Sequence, residues 1–368
     1  MSKIGKILLI ILCVIVALAL IALLFVLLYK PFGGRPNKED KENYASRSTN
    51  YKDGKFYNDG EFIVMSSYID PYKDRVGNSD VEPSDAVSIE NFEYVDNRDT
   101  SDALITWFGH SSVLVQLHNM NILIDPIFSN VSSPVSFIGS KRFSDLPCDV
   151  SDLPYIDVVL ITHDHYDHLD YKTIKKLDEK VGMFLVPLGI DKDLIKFGID
   201  KNKINNMAWW EEIDLNGLSF ICTPARHFSG RYLIDSNDTL WSSWLIKDEN
   251  YSIFTSGDGG YGDHFKEINS RYGDVDLALL DSGQYSESWH DVHMFPEEAV
   301  QSSIDLNATV AMPIHWGAFV LSDHPWDDPA KRFVRQAQEM GVNYMISRIG
   351  KTVSISDYLD NQEPWWEE

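Results

Sequence analysis

The densest concentration of ligand-type side chains is Thr162-His163-Asp164-His165-Tyr166-Asp167-His168, directly after the apolar stretch 158–161. Three imidazoles and two carboxylates in six positions suit neither a core nor a stable helix. At the mouth of a strand they gather nitrogen and oxygen donors around one point. Imidazole suits zinc, and a carboxylate can take a second, harder position. The spacing H-x-H-x-D-H supplies four donors, too few to close two metal sites, so further donors must come from elsewhere. Three stand just beyond other apolar stretches: His227 after 220–225, Asp258 after 253–256 and His315 after 310–314. Gly259-Gly260 follows Asp258 and permits close backbone approach. The seven candidate ligands are therefore His163, His165, Asp167, His168, His227, Asp258 and His315. Two metal ions need roughly seven protein donors plus a water, and such a pair activates water without a Ser, Cys or Thr nucleophile.

To place these donors, the chain must deliver several strand ends to one locality. Short apolar strands are expected at 104–108, 113–117 and 121–124, the last two joined at His118-Asn119. Further strands are expected at 157–162, 183–187, 218–223, 240–246, 252–256, 275–280 and 309–313. Helices are expected at 171–180, 263–272, 296–306 (with Pro296 at the first position) and 329–340. Meander strands mixed with strand–helix units predict an α/β fold of sheets covered by helices, not one parallel sheet.

The chain has 368 residues, 44% of them hydrophobic, and a net charge of −24. Residues 1–38 carry Lys3, Lys6, Lys30, Arg35 and Lys38 and no acidic residue, which leaves −29 on the remainder. A body this acidic repels a polyanion, so general nucleic-acid binding is disfavoured. Three cysteines exclude a disulfide scaffold, since only Cys148 and Cys222 lie outside the apolar N-terminal run. That run, residues 7–28, spans about 33 Å as a helix, enough for a hydrocarbon core of about 30 Å. It exits through Leu27-Leu28-Tyr29-Lys30-Pro31 without a small-x-small cleavage signal, and predicts a single-pass membrane anchor. Basic residues flank both ends, so the side on which the body lies stays open, as does the oligomeric state. The expected organisation is an anchor at 1–30, a polar tether at 31–53 and one folded domain at 54–368.

The ordered set H-x-H-x-D-H, His, Asp, His resembles the metallo-β-lactamase superfamily. Flanking stretches narrow it: Ile124-Asp125-Pro126-Ile127-Phe128-Ser129, Lys141-Arg142-Phe143, T-P-A-R-H-F-S-G-R at 223–231, H-M-F-P-E-E-A-V at 293–300 and I-H-W-G-A-F at 314–319. They resemble the N-acylphosphatidylethanolamine-hydrolysing phospholipase D family from about Asp53 to about Trp326. The resemblance implies an αββα sandwich with two Zn(2+) ions at one edge. His163, His165 and His227 would hold one ion and Asp167, His168 and His315 the other, with Asp258 bridging. Asp125 matches a carboxylate that orients ligating imidazoles. Asp167 and His293 are implied in catalysis, the latter at the start of the helix Pro296-Glu297-Glu298-Ala299. The implied reaction is hydrolysis of a phospholipid substrate, an N-acylated phosphatidylethanolamine, to phosphatidic acid and an N-acylethanolamine.

One departure bears on head-group selectivity: Asp281-Ser282-Gly283-Gln284-Tyr285 stands where the family tends to carry a Pro-Ile-Gly-Ala-Tyr-like stretch. His264 and His290 match no motif and are expected as surface or turn residues, and the roles of His110 and His324 stay open. Trp209-Trp210 and Trp365-Trp366 are expected to pack. Two alternatives stay open: a lactonase or phosphoesterase acting on a soluble substrate, and a membrane-tethered binding protein with an inactive site.

Overall fold

The computed structural model describes residues 2–60, 80–96, 102–232 and 235–368. In chain order its helices are α1 (Lys3–Leu28), α2 (Lys38–Arg47), α3 (Tyr171–Leu177), α4 (Ile190–Phe197), α5 (His264–Tyr272), α6 (Pro296–Asp305) and α7 (Asp328–Met340). Strands β1 (Tyr51–Lys52) and β2 (Lys55–Phe56) precede the main body, and β6 (Val131–Ser132) pairs with β7 (Ser140–Lys141) as a small hairpin. The first large sheet uses β3 (Leu104–Trp107), β4 (Val113–Leu117), β5 (Met120–Ile124), β8 (Ile156–Leu160), β9 (Val181–Pro187), β10 (Ile204–Met207) and β17 (Thr352–Ser354). The second uses β11 (Glu212–Leu215), β12 (Leu218–Thr223), β13 (Ser243–Lys247), β14 (Ser252–Thr255), β15 (Val275–Asp281) and β16 (Ala308–Ile314). Their orders are β10-β9-β8-β5-β4-β3-β17 and β11-β12-β13-β14-β15-β16.

Period-two alternation decides which face meets which layer. Val113, Val115, Ile122 and Ile124 point into a core shared with Trp244, Ile253 and Leu279 of the second sheet. Leu114, Leu123 and Phe184 point the other way, onto Ile174 of α3 and Leu194 and Phe197 of α4. Helices α5, α6 and α7 cover the second sheet through Phe265, Val300 and Phe333. The result is the αββα sandwich. Strands β5 and β8 are parallel, as are β14, β15 and β16; β3 and β12 share their sense through antiparallel neighbours. The carboxyl ends of all these strands therefore open on one edge.

Several elements differ from the sequence expectation. The helix expected over 171–180 ends at Leu177 and tightens into a 3-10 turn, Asp178–Lys180. The strand expected over 240–246 begins only at Ser243. Leu240 and Ser242 spend their N–H groups on Leu188 and Thr162 of the first sheet, at 2.8 and 2.9 Å, instead of on their own ladder. In 31–53, expected as a tether, α2 is capped by Asn37 and Asp40 and docks on the body. Tyr44 is buried against Tyr51 and Phe56, and Arg47 bonds Glu211 and the Asn206 carbonyl. Helix α1 is continuous, with no buried residue. Trp365 stacks on Trp316 with centroids 5.4 Å apart, and Trp316 lies 5.1 Å from Trp107. All three cysteines are free.

Candidate metal centre

Each candidate donor sits immediately beyond a carboxyl end of a strand. His110 follows β3, Asp125 follows β5, and the 162–168 loop follows β8. His227 follows β12, Asp258 follows β14, and His315 follows β16. Three of these positions take left-handed backbone: His110 (φ 55°), Asp125 (φ 40°) and His315 (φ 68°). Such strain in non-glycine residues persists only where surrounding contacts impose it. A backbone strap imposes it on two of them, because His110 N–H donates to the Trp316 carbonyl (2.8 Å) and His315 N–H to the His110 carbonyl (2.9 Å). Gly257 is also left-handed (φ 58°), and a Cβ there would meet Thr162 at 2.8 Å, so only glycine lets the 256–258 turn close over the histidine loop.

The donors converge in two groups. His163 Nε2 lies 2.9 Å from His165 Nδ1, which lies 3.2 Å from His227 Nε2. Asp167, His168 and His315 form the second group together with His110, whose Nε2 is 2.8 Å from Asp167 Oδ2. Asp258 stands between them: Oδ2 lies 3.7 Å from His163 Nε2 and 3.1 Å from His168 Nε2, and Oδ1 lies 3.1 Å from His315 Nδ1. The structure thus brings all seven expected donors together. His110 adds an eighth.

Hydrogen bonds behind the donors fix which ring nitrogens offer lone pairs. His227 Nδ1 faces the Val292 carbonyl at 3.0 Å, which only accepts, so Nδ1 carries the proton and Nε2 is free to ligate. Asp125 accepts from His168 Nδ1 (2.8 Å) and from both the N–H and the hydroxyl of Thr162 (2.8 and 2.6 Å). Having donated its proton to Asp125, the Thr162 hydroxyl accepts from His163 Nδ1 at 3.0 Å. One buried carboxylate therefore turns the lone pairs of both His163 and His168 inward.

The donor set fits metal ions on two observations. His168 Nε2 and Asp258 Oδ1 are buried, and neither makes a well-directed hydrogen bond, a costly arrangement unless something else satisfies them. Electrostatics agree. Burial, reinforced by neighbouring imidazoles, holds His163, His227 and His315 well below the usual imidazole range, so they are neutral, the ligating form. Burial also opposes charge on His168, but Asp258, Asp167 and Asp125 outweigh it and push its pKa well above that range. Three carboxylates around one imidazole make a place for positive charge.

With this geometry in view, the comparisons are decisive for the family. A model described as a β-lactamase superfamily domain matches residues 120–316, more than half of the chain. The chain belongs to the metallo-β-lactamase superfamily. It is 38% identical over 275 residues to an uncharacterized Mycobacterium tuberculosis protein, covering 73% of each chain. It is 35% identical over 244 residues to the N-acyl-phosphatidylethanolamine-hydrolyzing phospholipase D 1 of Caenorhabditis elegans, covering 63% of this chain and 68% of that one. Among solved structures, the metallo hydrolase Igni18 of Ignicoccus hospitalis shares the fold. Its TM-score is 0.52 at 22% identity, over 68% of this chain and 97% of that one. This superfamily member is a metallo-β-lactamase-fold hydrolase with a buried set of candidate metal ligands.

Around this superfamily core, the other histidines sort themselves. His293 lies just before α6, with Nδ1 2.9 Å from Asp281 Oδ2 and its ring parallel to His315 at 5.2 Å. Asp281 is fully buried and also accepts from Gly259 N–H at 3.1 Å. Burial raises its carboxyl to about 7 while His293 pulls the other way. Burial disfavours charge on His293, yet Asp281 prevails and raises its pKa. His290 is a surface residue paired with Glu298 at 2.8 Å, as expected. His264, expected at a surface or turn, is half-buried on Phe265 at the start of α5, and His324 stacks on Tyr285. His110 and Asp281 were not assigned to the site from sequence. For His110 the available signal was its place after a strand that runs in the same sense as β5. For Asp281 it was the departure from the family stretch.

Proposed function

We propose that this protein is a membrane-anchored zinc phosphodiesterase that hydrolyses N-acylphosphatidylethanolamine-like lipids to phosphatidic acid and N-acylethanolamine. The observation that carries the reading is the set of buried donors with lone pairs turned inward, at the strand-end edge of a chain 35% identical to a phospholipase D. In this reading His163, His165 and His227 would hold one Zn(2+) and Asp167, His168 and His315 the other, with Asp258 standing between the two groups. Bound there, two such ions lower the pKa of water and place positive charge against phosphoryl oxygens. The remaining work belongs to side chains. Asp125 keeps His163 and His168 in their ligating tautomers, and His110 holds Asp167 Oδ2 at 2.8 Å. His293, with Nδ1 held by Asp281, presents Nε2 as a donor to the phosphate or to the departing ethanolamine oxygen. Helix α1 keeps the enzyme at the surface where such a lipid resides.

The test is the bond that breaks. Hydrolysis of N-acylphosphatidylethanolamine vesicles in oxygen-18 water by the zinc-loaded chain is expected to label the phosphatidic acid. Label in the ethanolamine hydroxyl would mean carbon–oxygen cleavage and refute the assignment. Activity confined to lactones or soluble phosphodiesters would transfer the site to those substrates.

A further inference from the structure

The strand-end edge is tied to the base of α1 by a set of contacts that serve no catalytic purpose. Arg231 donates through Nε and Nη2 to the Pro31 carbonyl (3.1 and 2.9 Å) and through Nη1 to the carbonyls of Asp164, inside the donor-rich stretch, and Leu169, directly after it. Lys196 of α4 donates to the Leu27 carbonyl at 3.1 Å, Gly34 N–H donates to Asp193 at 2.8 Å, and Phe32 packs edge-on against Tyr232. The helix therefore leaves the body at a fixed place beside the site.

The β6–β7 hairpin shares that place. Tyr29, at the helix end, donates its hydroxyl to the Pro134 carbonyl at 3.1 Å. Phe137 and Ile138 follow at the hairpin tip, 81% and 63% exposed. Three residues span at most about 10 Å, so Phe137 lies within that reach of Pro134. The tip is held in shape: Gly139 adopts φ 116°, and a Cβ there would meet Ser133 at 2.6 Å. Beside it, Lys172 and Lys176 are exposed one helical turn apart on α3. With Ser136 they border a cleft of about 390 Å³. An apolar tip flanked by lysines on an acidic protein matches the chemistry of a bilayer interface, with hydrocarbon within reach and anionic head groups at its rim.

We infer that the tip Phe137-Ile138 enters the same leaflet from which α1 emerges, as a second contact with the bilayer. Lys172 and Lys176 then lie at head-group level. Two contacts fix the tilt of the body, which a single helix would leave free to swivel, and hold the strand-end edge against the membrane. This rests on the reading of α1 as a membrane span.

The test uses the full chain, reconstituted in vesicles of phosphatidylcholine with phosphatidylglycerol, carrying one nitroxide at a time. Labels go on Cys13 in α1, on a Phe137→Cys variant, and on a Leu359→Cys variant. Leu359 is exposed and follows β17, at the far side of the first sheet from β10 and α4. Cys148 is replaced by Ser throughout, and Cys13 by Ala where it is not the labelled site. Relaxation by oxygen against a soluble nickel complex reads depth. Labels at 13 and 137 are expected to be oxygen-accessible and nickel-shielded, and the label at 359 the reverse. A lipid signature at 13 with a water signature at 137 overturns the second contact and leaves the anchor standing. A water signature at 13 overturns the anchor, and this inference with it.

Discussion

Asp125→Asn isolates the claim that one carboxylate sets two histidine tautomers. The native side chain receives three hydrogen bonds and donates none: from Thr162 N–H to Oδ1, and from the Thr162 hydroxyl and His168 Nδ1 to Oδ2. An amide has one acceptor and one donor end, so either orientation creates a donor–donor conflict. With its NH2 toward Oδ2's partners, the amide drives the His168 proton to Nε2. It also turns the Thr162 hydroxyl toward His163 Nδ1, so the lone pairs of both rings face away from the centre. With its NH2 toward Thr162 N–H, a side-chain donor and a backbone donor meet at about the 2.8 Å now spanned by a hydrogen bond. A hydrogen bond to a buried charge contributes about 1.5–3 kcal/mol, and stranding a buried donor costs about as much again. In the cheaper orientation the tautomers relax and no donor is stranded, so the cost is about one such bond, about 1.5–3 kcal/mol, and at about 1.4 kcal/mol per factor of ten that is about a 10- to 150-fold loss of zinc affinity. Buried carboxylates behind ligating imidazoles commonly contribute about 10- to 100-fold. Zinc competition against a chromophoric chelator measures it, alongside turnover. Wild-type affinity for both ions in a folded Asp125→Asn protein would refute the tautomer argument, because the Nδ1 protons of His163 and His168 are held through Thr162 and Asp125.

His293→Ala is expected to keep the fold and two zinc equivalents by native mass spectrometry while turnover falls about 10²- to 10⁴-fold; full activity with two zincs would make it a helix-start residue only. His168→Ala is expected to lose an ion along with activity, so metal content separates the two variants. His264 is held down to about 3 by burial and by the Arg226 guanidinium, so below about 6.5 the unfolded chain takes up a proton that the folded chain refuses. Its contribution to stability is thus fully present above about pH 6.5 and declines as pH falls towards about 3. His264→Gln should lower the melting temperature less steeply between pH 6.5 and 5 than wild type, and parallel slopes would remove His264 from the acid response.

The convergence of the seven candidate donors was legible because each is a charged or aromatic-nitrogen side chain stranded after an apolar strand, a pattern that survives without knowledge of pairing. His110 was not legible for the opposite reason. Its turn, Gly109-His110-Ser111-Ser112, resembles any polar turn until β3 is known to run beside β4 in the sense of β5. Edge strands β10, β11 and β17 escaped because they are short and only partly buried, with Asn205, Asn206, Glu212 and Asp214 in place of the apolar alternation that marks a central strand. Helix α2 escaped through its polarity: only Tyr44 is buried, and its partners Tyr51 and Phe56 come from the next turn of chain. Asp281 was noticed as a departure, but a one-dimensional reading could not show that its carboxylate would reach His293.

The stack of Trp107, Trp316 and Trp365 offers an optical handle on the centre. Trp316 follows His315 directly and is tied through its carbonyl to His110 N–H, so its ring moves with two of the donors. Indoles 5.1–5.4 Å apart couple electronically, and coupled indoles give strong near-ultraviolet circular dichroism whose sign follows their mutual angle. Settling of His315 and His110 around a metal would therefore write itself into the protein's own spectrum. No dye or substrate is needed to follow metal entry in real time, because the aromatic packing behind the site acts as its built-in reporter.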